Sequence, residues 1–318
     1  MTPPKSLTIG VLMDAIETIK PYKDSTFAML LAAQARGHTL FYFQQADLYV
    51  AEGVACVTAQ TLSVNDNTAD YYRLGDKQIF PLAELNVVLM RKDPPFDMEY
   101  VYSTYILEMA EKQGTLIVNP PAALRAVNEK FYISYFPELT PNTLVSRDMD
   151  KIREFIESEG KAVVKPMDGM GGTGIFKVGR DDANTNAILE ALGNGSETLM
   201  VQAYVDKVTE GDKRILLVDG EPAKYGLARI PQGKEFRANL AVGGRGEVQP
   251  LSEQELALCK TIKPTLQRLG LLFVGLDVIG GCLTEINVTS PTCIREIEAE
   301  TDERIADQLI AVIEQKCI

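Results

Sequence analysis

Lys165-Pro-Met-Asp-Gly169-Met170-Gly171-Gly172-Thr173-Gly174-Ile175-Phe-Lys-Val178 is the stretch on which the fold turns. Gly169, Gly171 and Gly174 match G-x-G-x-x-G, the spacing of a dinucleotide-binding turn. That turn needs a helix directly after the third glycine, so that its N-terminus meets the pyrophosphate. Here Ile175 to Val178 alternates as a strand does, and Ala162 to Lys165 ahead of it also reads as a strand. A glycine loop between two strands either folds over phosphates as a flap, its N–H groups aimed at the anion, or is a mobile hairpin with no ligand. Lys165, closing the first strand, is placed to reach the same phosphates. No G-x-x-x-x-G-K-[ST] occurs, which excludes a P-loop.

Towards the N-terminus the pattern is β-α-β. Leu7 to Met13, Thr39 to Phe43, Val87 to Met90 and Leu116 to Val118 read as buried strands. Ser25 to Arg36, capped by Asp24 or Ser25 and stopped by Gly37, and Tyr100 to Lys112, stopped by Gly114, read as helices. This rhythm predicts an open parallel sheet covered by helices. Cys56 to Ile79 is polar and weakly patterned, an excursion from that sheet, and Leu124 to Tyr135 reads as a helix leading onward. After Thr143 the chain turns to hairpins. A helix from about Asp182 to Leu192 leads to the strand Thr198 to Val205. Asp219-Gly220 joins Ile215–Val218 to Ala223–Ala228, and Gly280-Gly281 joins Phe273–Ile279 to Cys282–Val288. Ser252-x-x-Glu255 is a capping box opening a helix to about Leu269, and Asp302 to Lys316 is an amphipathic helix.

Three further groupings carry chemistry. Asp277, Glu285 and Asn287 lie on the second hairpin, Glu285 and Asn287 on one face of their strand. Such oxygen donors suit Mg²⁺, and the alternative is a solvated polar face. Arg229 to Gly246 is a long glycine-rich stretch carrying Arg229, Lys234, Arg237 and Arg245. It reads as a lid closing over anions, or as a plain solvated loop. Arg214 begins a strand and is placed to hold charge developing on a transferring phosphoryl group. Arg91-Lys92-Asp93-Pro94-Pro95 follows a strand at its carboxyl end, where open α/β sheets bind ligands. Met13-Asp14 and Asp24-Ser25 line the same crevice, which would suit an amino-acid-like or peptide substrate, although helix capping explains Asp24 or Ser25 equally well.

The 318 residues suit two or three packed segments. Apolar residues at 46% and charged residues at 24% are ordinary for a globular protein. With 44 Asp+Glu against 32 Lys+Arg the formal charge is −12, which disfavours nucleic acid as a partner. No apolar run approaches the roughly 20 residues of a membrane span, and the start shows no secretory signal. Five cysteines (Cys56, Cys259, Cys282, Cys293, Cys317) without C-x-x-C spacing read as reduced thiols in a cytosol. His38 is the one histidine and reads as a surface or C-capping residue. Acid–base and metal chemistry therefore falls to carboxylates, lysines and arginines.

Val88 to Phe96 (Val-Leu-Met-Arg-Lys-Asp-Pro-Pro-Phe), Asn128-Glu129-Lys130, Lys165 to Gly172, Ala228 to Gly233 and Leu283 to Glu298 together resemble the prokaryotic glutathione synthetases, ATP-grasp carboxylate–amine ligases, over essentially the whole chain. Thr173-Gly174 departs from variants seen elsewhere in the family. The resemblance implies an N-terminal open parallel α/β domain (1–123) followed by a two-part ATP-grasp module, a small central subdomain (124–200) and a C-terminal subdomain (201–318) with a mobile lid (229–246). It implies ATP contacts at Lys130, Lys165, Gly169, Met170, Gly171, Gly172, Gln202, Ala203, Tyr204, Val205, Asp212 and Asn287. Asp277, Glu285 and Asn287 would hold two Mg²⁺ or Mn²⁺ ions. Asp24, Ser25, Arg91, Arg214, Arg237, Ser290, Pro291 and Thr292 would bind the peptide substrates, with Arg214 and Arg229 catalytic. The implied reaction joins γ-glutamylcysteine to glycine, giving glutathione, ADP and phosphate through an acyl phosphate. The implied setting is cytoplasmic and homotetrameric, with no nucleic acid and no membrane. Another ATP-grasp ligase, or a nucleotide-binding regulator without catalysis, are the competing readings.

Overall fold

The computed structural model describes residues 6–233, 235–240 and 243–317, so Lys234 of the basic stretch lies outside the described residues. The chain begins β1 (Thr8–Leu12), α1 (Ser25–Ala35), β2 (Thr39–Phe43), β3 (Leu48–Ala51), β4 (Val54–Val64), β5 (Tyr72–Pro81), β6 (Val87–Met90), α2 (Met98–Glu111), β7 (Leu116–Val118) and α3 (Pro121–Ala126). Its strands form one seven-stranded sheet in the order β3-β4-β2-β1-β6-β7, with β5 on the far edge of β4. β2, β1, β6 and β7 run parallel, as the β-α-β rhythm predicts. The 56–79 excursion is the exception: β4 and β5 are long antiparallel strands that extend this sheet. Asp24 caps α1, accepting from the Phe27 N–H at 2.7 Å, and Asp97 caps α2 through Tyr100. α1 buries Phe27, Met29 and Leu30 on one face of the sheet, and α2 buries Tyr100 and Leu107 on the other.

The middle of the chain holds β8 (Thr143–Ser146), α4 (Met149–Glu159), β9 (Lys161–Pro166), β10 (Phe176–Gly179), α5 (Thr185–Ala191) and β11 (Leu199–Ala203). These strands make a four-stranded antiparallel sheet, β10-β9-β11-β8. The expected subdomain boundary at 200/201 falls inside β11, which pairs wholly within this sheet. The helix expected over 124–135 is broken. Asn128 Oδ1 accepts from the Lys130 and Phe131 N–H groups, and Glu129 O accepts from Ile286 N–H, leaving only α3 and a short 3-10 turn at Phe131–Tyr135.

The last part contains β12 (Asp212–Val218), β13 (Glu221–Pro222), β14 (Tyr225–Ile230), β15 (Arg245–Pro250), α6 (Glu253–Arg268), β16 (Phe273–Ile279), β17 (Cys282–Asn287), α7 (Ile294–Glu300) and α8 (Ile305–Lys316). A six-stranded sheet runs β15-β14-β12-β16-β17, with β13 on β12. The capping box forms: Ser252 Oγ accepts from Glu255 N–H at 3.3 Å, and Glu255 accepts from Ser252 N–H at 2.7 Å. Ile215 and Leu217 of β12 join the core under α6, whereas Leu216 and Val218 point the other way, towards α8 and the N-terminal sheet. Asn119, after β7, joins the two large sheets. Its Nδ2 donates to Phe273 O and Val288 O, both at 2.8 Å, and its Oδ1 accepts from Leu272 and Phe273 N–H at 2.9 and 3.1 Å. His38 corrects the surface reading, since it is buried. Leu7 N–H donates to its Nδ1, and Nε2 lies 2.9 Å from Glu314 Oε1 on α8.

Candidate active site

Strand register builds the centre of the site. Asp212 and Arg214 share the face of β12 that becomes apolar at Leu216, and their cross-strand partners are charged: Asp212 opposes Arg229 of β14, and Arg214 opposes Asp277 of β16. Asp277 in turn opposes Glu285 of β17. Residues directly opposite in an antiparallel pair project to one face, so the pattern lays two neighbouring charged rungs across the sheet, Arg229–Asp212 and Arg214–Asp277–Glu285. Arg214 grips Asp277 with two bonds, Nε to Oδ1 at 2.5 Å and Nη2 to Oδ2 at 3.0 Å. Arg229 Nη2 lies 2.7 Å from Asp212 Oδ2 and 3.0 Å from Asp277 Oδ2. All four side chains are buried.

Burial and charge act against each other here. Burial pushes the Asp277 carboxyl up, but the Arg214 and Arg229 guanidiniums outweigh it and hold it well below the usual carboxylate range. Asp212 has the Arg229 guanidinium alone and faces the Asp277 charge, so burial prevails and its pKa is raised. Its Oδ1 is buried with no hydrogen-bond partner among the described residues. Burial opposes the charge on Arg229 too, but its two carboxylates raise its pKa well above normal.

The middle sheet faces these rungs. Lys165, from the end of β9, places Nζ 3.7 Å from Glu285 Oε1, and Lys130 places Nζ 4.0 Å from the same oxygen. Burial lowers the Lys165 pKa, with Glu285 opposing. Between the sheets opens a cleft of about 700 Å³, its mouth included, lined by Lys165, Gln202 to Val205, Asp212, Asp277 and Glu285. The Gln202 side chain itself turns away, donating to Thr143 Oγ1 at 3.1 Å. The 229–246 stretch also reaches the cleft through Phe236 to Asn239.

The glycine loop connects β9 to β10, as the strand-glycine-strand reading requires. Lys130 Nζ donates to Gly169 O, and Arg237 Nη1 donates to Gly172 O at 3.0 Å. Arg237 also pairs with Glu235, whose carboxyl it holds down at about 2. Arg237 therefore ties the 229–246 stretch to the glycine loop here, a contact the sequence reading, which gave it to substrate, does not foresee. Gly172 has φ +87°, and a Cβ there would stand 2.9 Å from Asn239 Oδ1.

At the carboxyl edge of the parallel strands a second crevice, about 320 Å³, gathers Asp14, Asp24, Ser25, Arg91, Ser290 and Thr292. The structure thus brings the expected substrate residues of both ends of the chain together. Arg91 is fixed by Thr26 Oγ1 and Pro291 O, both at 2.9 Å, leaving Nη1 with no protein acceptor among the described residues. Two hydroxyl and carboxyl groups are partly spent: Asp24 caps α1, and Ser25 Oγ accepts from Ile294 N–H at 3.1 Å. Glu129 carries a role that sequence reasoning missed. Its Oε1 accepts from Val288 N–H, Thr289 N–H and Thr289 Oγ1 at 2.8 to 2.9 Å, anchoring the chain just before the Ser290–Thr292 loop. The only signal was its place beside Lys130.

Among the described residues no three His, Cys, Asp or Glu side chains gather as a metal group. The expected set instead pairs two carboxylates with the Asn287 amide on one face of β16 and β17. This all-oxygen donor chemistry fits Mg²⁺ or Mn²⁺, and the orphaned Asp212 Oδ1 nearby is a further oxygen in want of a partner.

A flap between two strands over an antiparallel sheet, facing a second sheet that carries the acid–arginine rungs, defines an ATP-grasp enzyme. Solved structures share the fold: D-cycloserine synthetase DcsG (TM-score 0.68, 16% identity, covering 96% of this chain and 99% of that one) and the ATP-grasp ligase PsnB complexed with a phosphomimetic precursor variant, Mg and ADP (0.65, 17%, 98% and 99%). More specifically, residues 7–125 match the N-terminal domain, and residues 129–302 the ATP-grasp domain, of prokaryotic glutathione synthetase. The chain is 53% identical over 311 residues to glutathione synthetase of Shewanella oneidensis, covering 98% of this chain and 99% of that one. It is 54% identical over 312 residues to that of Pseudomonas putida, covering 98% of each. The chain belongs to the prokaryotic glutathione synthetase family and is an ADP-forming carbon–nitrogen ligase.

Proposed function

We propose that the chain makes glutathione by joining γ-glutamylcysteine to glycine at the junction of the two clefts. ATP lies between the four- and six-stranded sheets, its base against Gln202 to Val205 and its phosphates under Gly169 to Gly172 and against Lys130 and Lys165, with Asp212, on the wall of that cleft, and Asn287 as further contacts. The dipeptide lies in the Arg91 crevice, with Ser290, Pro291 and Thr292 as its floor. The cysteinyl carboxylate takes the γ-phosphoryl group, and Arg214 and Arg229 hold the charge that develops. The glycine amine then attacks the acyl carbon, and phosphate leaves. A lid over this step protects the acyl phosphate from water. Asp277, Glu285 and Asn287 would hold two Mg²⁺ or Mn²⁺ ions, which would supply charge neutralisation on the phosphates.

The observation carrying this reading is the register itself, which sets Arg229–Asp212 and Arg214–Asp277–Glu285 as two neighbouring rungs on one face, opposite Lys130 and Lys165. A regulator without turnover has no use for so costly a buried array. The test is ADP release. Release requiring both γ-glutamylcysteine and glycine supports the reading, and release with D-alanine alone, or none, overturns it.

The same reading takes the three-part division as domains, with the second boundary moved from 200 to the end of β11. A cytoplasmic setting is supported by five cysteines without a disulfide. No helix among the described residues is long and apolar enough to cross a membrane. A homotetramer is what the family resemblance implies, and the exposed stripe of Met98, Tyr102 and Tyr105 along α2 supports self-association without setting the number of copies. Light scattering on the purified chain checks it.

A further inference from the structure

The ligation needs three reactants at one point, and the two clefts described account for the nucleotide and the dipeptide. A third cavity of about 490 Å³, its open mouth included, is lined by chain neighbours of both. It is walled on one side by Lys130, Gly169 and Met170 of the flap, next to the nucleotide cleft. On the other side stand Pro94 and Thr289, chain neighbours of the Asp93 and Ser290 that line the dipeptide crevice. Glu129 forms part of its wall. The three donors on Oε1 leave Oε2 with no protein donor among the described residues, and no Lys, Arg or His there lies within ion-pair distance of this carboxylate. Burial raises its pKa, and Glu285 adds to the effect. An acid left short of positive charge at the wall of a cavity is relieved by taking up a proton or by a cation entering the cavity.

We propose that this cavity is the acceptor subsite, which takes a small α-amino acid as its zwitterion, the free Oε2 of Glu129 receiving the ammonium. Arg125 and Lys130 line the same cavity and carry the charge that matches the amino acid's carboxylate, with Asp168 as the second acid on its wall. This rests on the ligase reading above, and it names what that reading leaves without a residue: the group that recognises the amine.

Glu129→Gln tests it. The amide keeps an oxygen for the Val288 and Thr289 donors and replaces the free oxygen with an N–H₂ that repels an ammonium. Acyl phosphate is intercepted in parallel by hydroxylamine, a nucleophile mostly uncharged at neutral pH, and measured as hydroxamate. The expected result is a fall of about tenfold or more in the ratio of kcat/KM for glycine to that for hydroxylamine, with the rise in KM confined to glycine. A ratio within twofold of the unsubstituted protein overturns the proposal, because Glu129 then acts only through the 288–292 loop or the fold. If the unsubstituted protein yields neither hydroxamate nor ADP from γ-glutamylcysteine, the ligase reading itself has failed, a result distinct from an unchanged ratio.

Discussion

Replacing Arg229 with Gln removes the one cation shared by Asp212 and Asp277. Asp277 keeps its two bonds from Arg214, but Asp212 is left with an ion-pair partner gone and an oxygen already orphaned. Breaking a buried pair by deleting one partner costs about 3–5 kcal/mol, since the remaining charge stays desolvated. At roughly 2 cal/mol/K per residue, a chain of 318 residues melts with an entropy near 0.7 kcal/mol/K, so the loss corresponds to a fall of about 4–8 °C in Tm. Without Arg229 the folded-state pKa of Asp212 rises further above its unfolded value. The folded form then binds the proton more tightly, so the variant regains stability as pH falls, and the gap to the unsubstituted protein is narrower at pH 5 than at pH 8. Denaturant titrations of R229Q, D212N and the double variant, without nucleotide, supply the assay. Asp212→Asn in the R229Q background should restore about 2 kcal/mol or more. Additive single effects, or an R229Q cost under about 1 kcal/mol, would refute the shared-cation account.

Glu285→Ala should lower turnover by at least about 10²-fold while circular dichroism stays unchanged, because the residue faces Lys130 and Lys165 in a cleft rather than filling a core; substantial residual activity contradicts its place in the site. Gly172→Ala puts a methyl 2.9 Å from Asn239 Oδ1 at a left-handed φ. It should cost about 1–2 kcal/mol locally and raise ADP release per glutathione formed, read by assaying both products. Asn119→Ala strips partners from four backbone groups and should destabilise the chain by roughly 3–5 kcal/mol in denaturant titration, with the KM for ATP little changed.

Local chemistry made much of this legible. The 165–178 stretch showed a glycine loop between two strands because strand alternation follows its last glycine, and Ser252 with Glu255 marked a helix start by itself. What stayed hidden depends on distant partners. β5 is an edge strand exposed along most of its length, so it lacks the one-sided alternation that betrays a strand. The break at Asn128 to Lys130 arises because Glu129 is held by residues near 288, over 150 positions away. Asp277, Glu285 and Asn287 were visible as a group, but the guanidiniums that hold Asp277 come from β12 and β14, and only cross-strand register reveals that pairing. Arg237 read as a substrate group since nothing local shows Gly172 O as its acceptor.

Asn119 makes one amide answer to both strands of the hairpin that bears Asp277 and Glu285. The loop that closes the Arg91 crevice is thereby set against the Asp277–Glu285 hairpin by the fold itself. The 119–142 segment is tied to the same hairpin further on, Glu129 O accepting from Ile286 N–H at 2.9 Å and Leu139 O from Leu283 N–H at 2.7 Å. A loosened Asn119 would therefore blur the spacing of crevice and hairpin before it disturbed the cleft between the four- and six-stranded sheets.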